Sequence, residues 1–122
     1  MVKKQSDVCE LFCYNKNKVN ALKKSMLAGE KIIMLTDIFK VLSDATRTKI
    51  LLALSKDELC VCDISHVVGL SISAVSHQLR LLRSLGLVKY RSEGRMAFYT
   101  LDNEHVIRLI DEGIRHVEKG RL

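Results

Sequence analysis

Residues Asp63 to Leu85 restrict the fold of this chain more than any other stretch. Two apolar-periodic segments, 64–68 and 72–85, are separated only by Gly69-Leu70-Ser71. Glycine ends helices because it enters the left-handed backbone region without a Cβ penalty. Serine starts them because its hydroxyl accepts from a free N–H of the first turn. The pattern predicts a short helix capped by Asp63 and running to Val68, a tight turn, and a second helix over 72–85 opened by Ser71. Two short helices joined by a glycine-containing turn form a helix-turn-helix.

The second helix has two distinct faces. At about 100° per residue, Ser73, Ser76, His77, Arg80 and Ser84 fall within roughly a third of the circumference, with Arg83 at its margin. Val75, Leu79, Leu82 and Leu85 take the other side, and Gln78 lies at its edge. Short polar side chains with an arginine suit a major groove, where Arg pairs with guanine edges and Ser or His meets bases or phosphates. Any amphipathic surface helix has a wet face, so the flanking sequence has to add weight. Residues 87–91 and 96–100 alternate as β-strands, with Ser92-Glu-Gly-Arg95 between them. A helix-turn-helix followed by a hairpin carrying Lys89, Arg91 and Arg95 has the layout of a winged helix, with wing cations on phosphates.

The remaining elements follow in order. Residues 1–18 form a polar, lysine-rich arm containing Cys9-Glu-Leu-Phe-Cys13, and residues 19–122 form the DNA-binding and dimerisation domain. If the arm were helical, the i, i+4 spacing would put both sulfurs on one face. Helices are expected over 19–29, 32–42 and 45–54, the last capped by Asp44, and over 103–118. The stripe Val106, Ile107, Ile110, Gly113, Ile114 and Val117 is wide enough for an interface, so a homodimer is expected. The fold class is mainly α with a β-hairpin wing.

Composition narrows the function. The net charge is +6, from 20 basic and 14 acidic residues, which is compatible with a polyanionic partner such as nucleic acid. A hydrophobic content of 48% argues against disorder. No segment reaches the roughly 18 apolar residues of a membrane span, and no apolar run follows the N-terminal lysines. No membrane association and a cytoplasmic location are therefore expected. In a reducing compartment, four cysteines in two pairs point to metal binding or redox chemistry rather than cross-links. The pairs are Cys9 with Cys13 and Cys60 with Cys62.

Leu59-Cys-Val-Cys-Asp63, Ser73-Ala-Val-Ser-His-Gln-Leu-Arg80, the wing with Gly94-Arg95 and Phe98-Tyr99, and the Cys9–Cys13 arm together resemble the ArsR/SmtB family of metal-responsive repressors. The likeness covers nearly the whole chain and is greatest to the cadmium- and lead-sensing branch. It implies a repressor that holds operator DNA when metal-free and lets go when metal binds. Four thiolates select Cd(II), Pb(II) or Zn(II) over hard ions. The resemblance further implies that the arm crosses a homodimer, so that Cys60 and Cys62 of one chain join Cys9 and Cys13 of the other. The operator would be roughly palindromic, contacted by Ser73, Ser76, His77, Gln78, Arg80 and Arg83 and by the wing cations.

The same family often carries a zinc site on the last helix, patterned Asp-x-His and His-x-x-Glu. Here the histidines are His105 and His116, while Asn103 and Lys119 replace the carboxylates. Eleven residues separate the histidines, about 16 Å along a helix, so only an antiparallel partner helix could join them. Asp102 and Glu112 are the nearby substitutes. The two histidines are therefore expected to be polar edge residues of a dimer helix. An As(III)- or Bi(III)-responsive or thiol-redox-responsive repressor of the same family is the alternative reading, although the arsenic branch's third cysteine position holds Ser65. A metal carrier that ignores DNA would leave the 73–80 helix and the basic wing without a purpose. An enzyme is not expected: Ser76 and His77 are helix neighbours that do not face each other, and no glycine-rich phosphate loop or carboxylate pair accompanies them.

Overall fold

A computed structural model describes residues 7–120. The chain divides into two compact units, the first ending at Met34 and the second starting at Leu35. Residues 1–6 of the expected arm and 121–122 of the expected domain lie outside the described residues.

In the first unit, residues 7–15 are bends and irregular backbone, so Cys9 and Cys13 are not on a helix. An isolated turn here would have no packing to offset the cost of nucleation. Asn15 caps helix α1 (Lys16–Ser25), its side-chain oxygen accepting from the Lys18 N–H at 3.0 Å. The cap sets the start ahead of Val19, and the chain leaves helical backbone at Met26, before the expected end. Helix α2 (Gly29–Leu42) starts three residues before Ile32 and runs on into the second unit.

In the second unit, Asp44 opens α3 (Ala45–Lys56) by accepting from the Arg47 N–H at 3.0 Å, as expected. A two-residue strand unmarked in the sequence follows, β1 (Leu59–Cys60). It leads directly into α4 (Val61–Val68). This corrects the start of that helix: Cys60, held extended, is the N-cap, and Asp63 is the third helical residue. The Asp63 carboxylate still serves the helix end, reaching back to accept from the Cys60 N–H at 3.4 Å. Gly69, at φ +73°, closes α4 with its N–H on the Ser65 carbonyl at 2.9 Å. Ser71 opens α5 (Ile72–Ser84), accepting from the Ala74 N–H at 3.1 Å.

The wing consists of β2 (Val88–Glu93) and β3 (Met96–Leu101). They pair antiparallel from Val88↔Leu101 to Glu93↔Met96. Pairing thus runs two residues further than the pattern suggested and leaves only Gly94-Arg95 as the turn. Gly94 stands at φ +60°, which a two-residue hairpin turn needs at its first position. Strand β1 joins the far side of β3 through Leu59↔Tyr99 and Cys60↔Phe98, giving the order β1-β3-β2.

Ile50 and Leu51 of α3, Ile64 of α4, Val75, Leu79 and Leu82 of α5 and Val88 of β2 are fully buried together. Each such side chain contributes roughly 1.5–3 kcal/mol by leaving water. This core fixes the helix-turn-helix against the sheet. Helix α6 (Glu104–Glu118) buries Val106 but leaves Ile107, Leu109 and Val117 exposed. Between α3 and α6 runs an open apolar groove of about 710 Å³ lined by Leu51, Leu52, Ile110 and Ile114, among others. Among the described residues no helix is long and apolar enough to cross a membrane.

Candidate nucleic-acid interface and metal centre

Helix α5 has the two faces its sequence implies. Val75, Leu79 and Leu82 are fully buried, while Ser73, His77, Arg80 and Ser84 are exposed and Ser76 is half-buried. With its apolar side locked in the core, the helix offers these polar side chains to a groove as a preformed set. Gln78 is placed differently. Half-buried, its side-chain oxygen accepts from the Arg47 Nε of α3 at 2.7 Å. That bond holds α5 to α3 and leaves the Gln78 amide N–H groups to offer. Arg83 lies over Tyr90, with its guanidinium carbon 4.6 Å from the ring centroid. Tyr90 in turn stacks on Tyr99 at 5.5 Å, so Arg83 joins the recognition helix to the wing.

The wing cations fall into two kinds. Lys89 and Arg95 are exposed, and neither has an ion-pair partner among the described residues. Arg91 is engaged on three sides. Its Nε and Nη2 donate to the two carboxylate oxygens of Glu58, at 3.1 and 2.7 Å. Its Nη1 donates to Glu93, and its guanidinium lies 4.7 Å above the Phe98 ring centroid. The hydrogen bonds from Arg91 hold the Glu58 carboxyl below its ordinary range. Those same bonds to Glu58, and then to Glu93, raise the Arg91 value.

Cys60, the N-cap of α4, and Cys62, in its first turn, are free thiols. Cys60 is buried, at 5% exposure, and Cys62 is exposed. Cys9 and Cys13 are exposed free thiols in the first unit. Four reduced sulfurs with no disulfide fit a soft divalent ion as a donor set. Among the described residues of one chain, no three His, Cys, Asp or Glu side chains are gathered for a metal.

Helix α6 uses its metal-pattern positions for other ends. The Asn103 side chain caps the helix, accepting from the N–H groups of His105 and Val106 at 2.9 and 3.2 Å. Lys119 is the C-cap residue. Glu112 pairs with Arg115 at 3.3 Å. His105 and His116 are exposed, and Asp102 is half-buried beside Gly86.

Two residues outside the sequence-based set take part in this architecture, Glu58 and Arg47. Their partners lie 33 and 31 residues away, and no local pattern marks such pairs.

The sequence profile described as "Bacterial regulatory protein, arsR family" matches residues 44–90, which hold α3, β1, α4, α5 and the start of β2. The chain is similar to the cadmium resistance transcriptional regulatory protein CadC homolog of Staphylococcus aureus, 44% identical over 111 residues, 90% of this chain and 91% of that protein. It is 35% identical to the transcriptional repressor SmtB homolog of Synechocystis, over 93% of this chain and 86% of that one. Among solved structures, the homodimeric winged helix-turn-helix DNA-binding domain from Mycobacterium bovis superposes with a TM-score of 0.67 at 25% identity, covering 89% of this chain and 92% of that one.

Proposed function

Since the chain belongs to the arsR family of bacterial regulatory proteins, and is a metal-responsive transcriptional regulator rather than an enzyme, we propose that it is a cytoplasmic repressor released from its operator by soft metal ions held on four cysteines. Ser73, Ser76, His77 and Arg80 read the major groove, Arg80 through a guanine edge. Lys89 and Arg95 meet phosphates and set the register. Gln78 adds an N–H donor, Arg83 a backbone contact beside Tyr90, and Arg91 a further wing cation.

Cys60 and Cys62 hold a Cd(II), Pb(II) or Zn(II) ion together with Cys9 and Cys13 of a partner protomer. The bound ion supplies a cross-link among four thiolates. The exposed stripe of α6 and the α3–α6 groove support a homodimer, as does the homodimeric relative. A dimer presents two recognition helices to a roughly palindromic operator. Two observations weigh against a second, zinc-binding site at His105 and His116. Asn103 is used as a helix cap and Glu112 pairs within its own helix.

One observation carries the reading. Cys60 is at once a residue of the wing's sheet and the N-cap of the first helix of the helix-turn-helix. Whatever ligand gathers there acts on both DNA-facing elements from their shared root. Release requires that the ion bind the DNA-free form more tightly than the operator-bound form. A mobility-shift titration of the reduced protein with Cd(II), Pb(II) and Zn(II) tests it. The expected result is operator release by at least one ion at micromolar concentration. An operator complex indifferent to all three would overturn the proposal.

A further inference from the structure

Glu58 lies two residues before Cys60 and has no part in the metal or DNA roles assigned so far. We propose that it is a positioning residue, the brace by which the cysteine loop moves the wing. The inference rests on the metal-release reading above and says how the ligand's effect crosses to the hairpin.

The brace spans the whole sheet. Across the three strands, Cys60, Phe98 and Arg91 stand opposite one another in register. Residues in such a row share a face. Arg91 starts from the far strand, β2, lies over Phe98 of the middle strand, and ends on Glu58 beside β1. Both carboxylate oxygens are used, by two different guanidinium nitrogens. A two-point fork fixes direction as well as distance, which a lysine in the same place would not do. Most exposed ion pairs matter little, and the exceptions are bidentate pairs and networks. This pair is both, since two guanidinium nitrogens meet one carboxylate and Glu93 holds the remaining edge of the guanidinium.

The geometry at the cysteines explains why a brace matters. Cys60 is buried at the extended N-cap of α4, whereas Cys62 is exposed in its first turn. For both sulfurs to face one ion, the β1–α4 junction has to turn. Strand β1 has only two ladder pairs with β3, so the backbone link to the wing is short. Glu58 turns with the junction and carries Arg91 with it. Arg91 belongs to the same strand as Lys89, and Arg95 sits in the turn that follows. Lys89 and Arg95, the wing cations without an ion-pair partner among the described residues, are therefore carried by the hairpin that the brace pulls.

The test uses the full-length reduced protein and a fluorescein-labelled operator. The quantity read is the ratio of operator Kd with and without saturating Cd(II), for wild type, Glu58→Gln, Arg91→Lys and the double variant. Cd(II) loading is followed separately by thiolate–metal absorption, and folding by circular dichroism. The wild-type ratio is expected to lie in the range of about 5- to 150-fold usual for allosteric coupling. Either single variant should bind Cd(II) through the same thiolates and yet bring the ratio close to one. The double should lose no more than a single, because the two residues act as one unit. In a 15N spectrum, the Arg91 Nε–Hε peak should shift on adding Cd(II) to wild type, and the shift should be lost in Glu58→Gln. If Glu58→Gln does not fold, the Arg91→Lys ratio decides alone. Variants that keep the wild-type ratio would overturn the brace while leaving the metal-release reading intact. A wild-type ratio of one for Cd(II), Pb(II) and Zn(II) alike would remove that reading and the brace with it.

Discussion

The cysteine loop and helix α6 both carry side chains of metal-ligand type, yet they are built to different ends. At the loop, Cys60 is a strand residue, a helix cap and a neighbour of the wing's middle strand at once. Its surroundings are shared with β3, α4 and, through Glu58, β2. On α6, His105 and His116 are exposed, Asn103 serves its own helix end, and two ion pairs lie along the helix itself, Glu104 with Arg108 and Glu112 with Arg115. A ligand at the loop has several elements to move, whereas α6 is organised around its ends and its apolar stripe. The difference teaches that the type of donor says little about regulation until its connections are counted.

The sharpest way to break this contrast is to cut the loop from the core. Ile64 is fully buried one turn into α4. Ile64→Ala should lower stability by about 2–5 kcal/mol in urea denaturation. An unchanged midpoint would mean that α4 does not anchor the loop. Next in size, Cys60→Ser should keep operator binding and lose the Cd(II) effect, a change worth about 1–3 kcal/mol of coupling. Anisotropy titrations with and without Cd(II) would show it. On the other side of the comparison, Asn103→Ala should cost about 1 kcal/mol by removing a helix cap, read in thermal denaturation, with the Cd(II) ratio unchanged. The smallest effect is expected for His105→Gln with His116→Gln, which should leave the metal response as it is. A lost response in that last variant would make α6 a second sensor and erase the contrast.

The two halves of the contrast were not equally legible in the amino-acid sequence. Helix α5 was readable because Val75, Leu79 and Leu82 repeat at helical spacing behind a serine cap. The wing was readable because a glycine lies between two alternating runs. Local rules of this kind work when a residue's partner is a few positions away. Strand β1 escaped them because two residues have no period, and its partners, Tyr99 and Phe98, come some forty positions later. The same distance hid Glu58–Arg91 and Arg47–Gln78. Asp63 was misplaced as a cap because aspartate at the third helical position carries the same local signature, while cysteine at the cap position carries none. In the candidate site, the four cysteines were visible as residues. Their surroundings were not: burial of Cys60 follows from strand β1, by which it joins the wing's sheet, and that strand was the element missed.

The central claim is that metal on the cysteines and DNA on the helix-turn-helix oppose each other. Linkage makes this reciprocal: the factor by which Cd(II) weakens operator binding must equal the factor by which operator weakens Cd(II) binding. The most direct test is a chelator-competition titration of Cd(II) into the reduced protein, alone and saturated with operator. The account predicts weaker Cd(II) binding in the operator complex, by the same factor that anisotropy gives for operator release. Equal Cd(II) affinity with and without operator would contradict it.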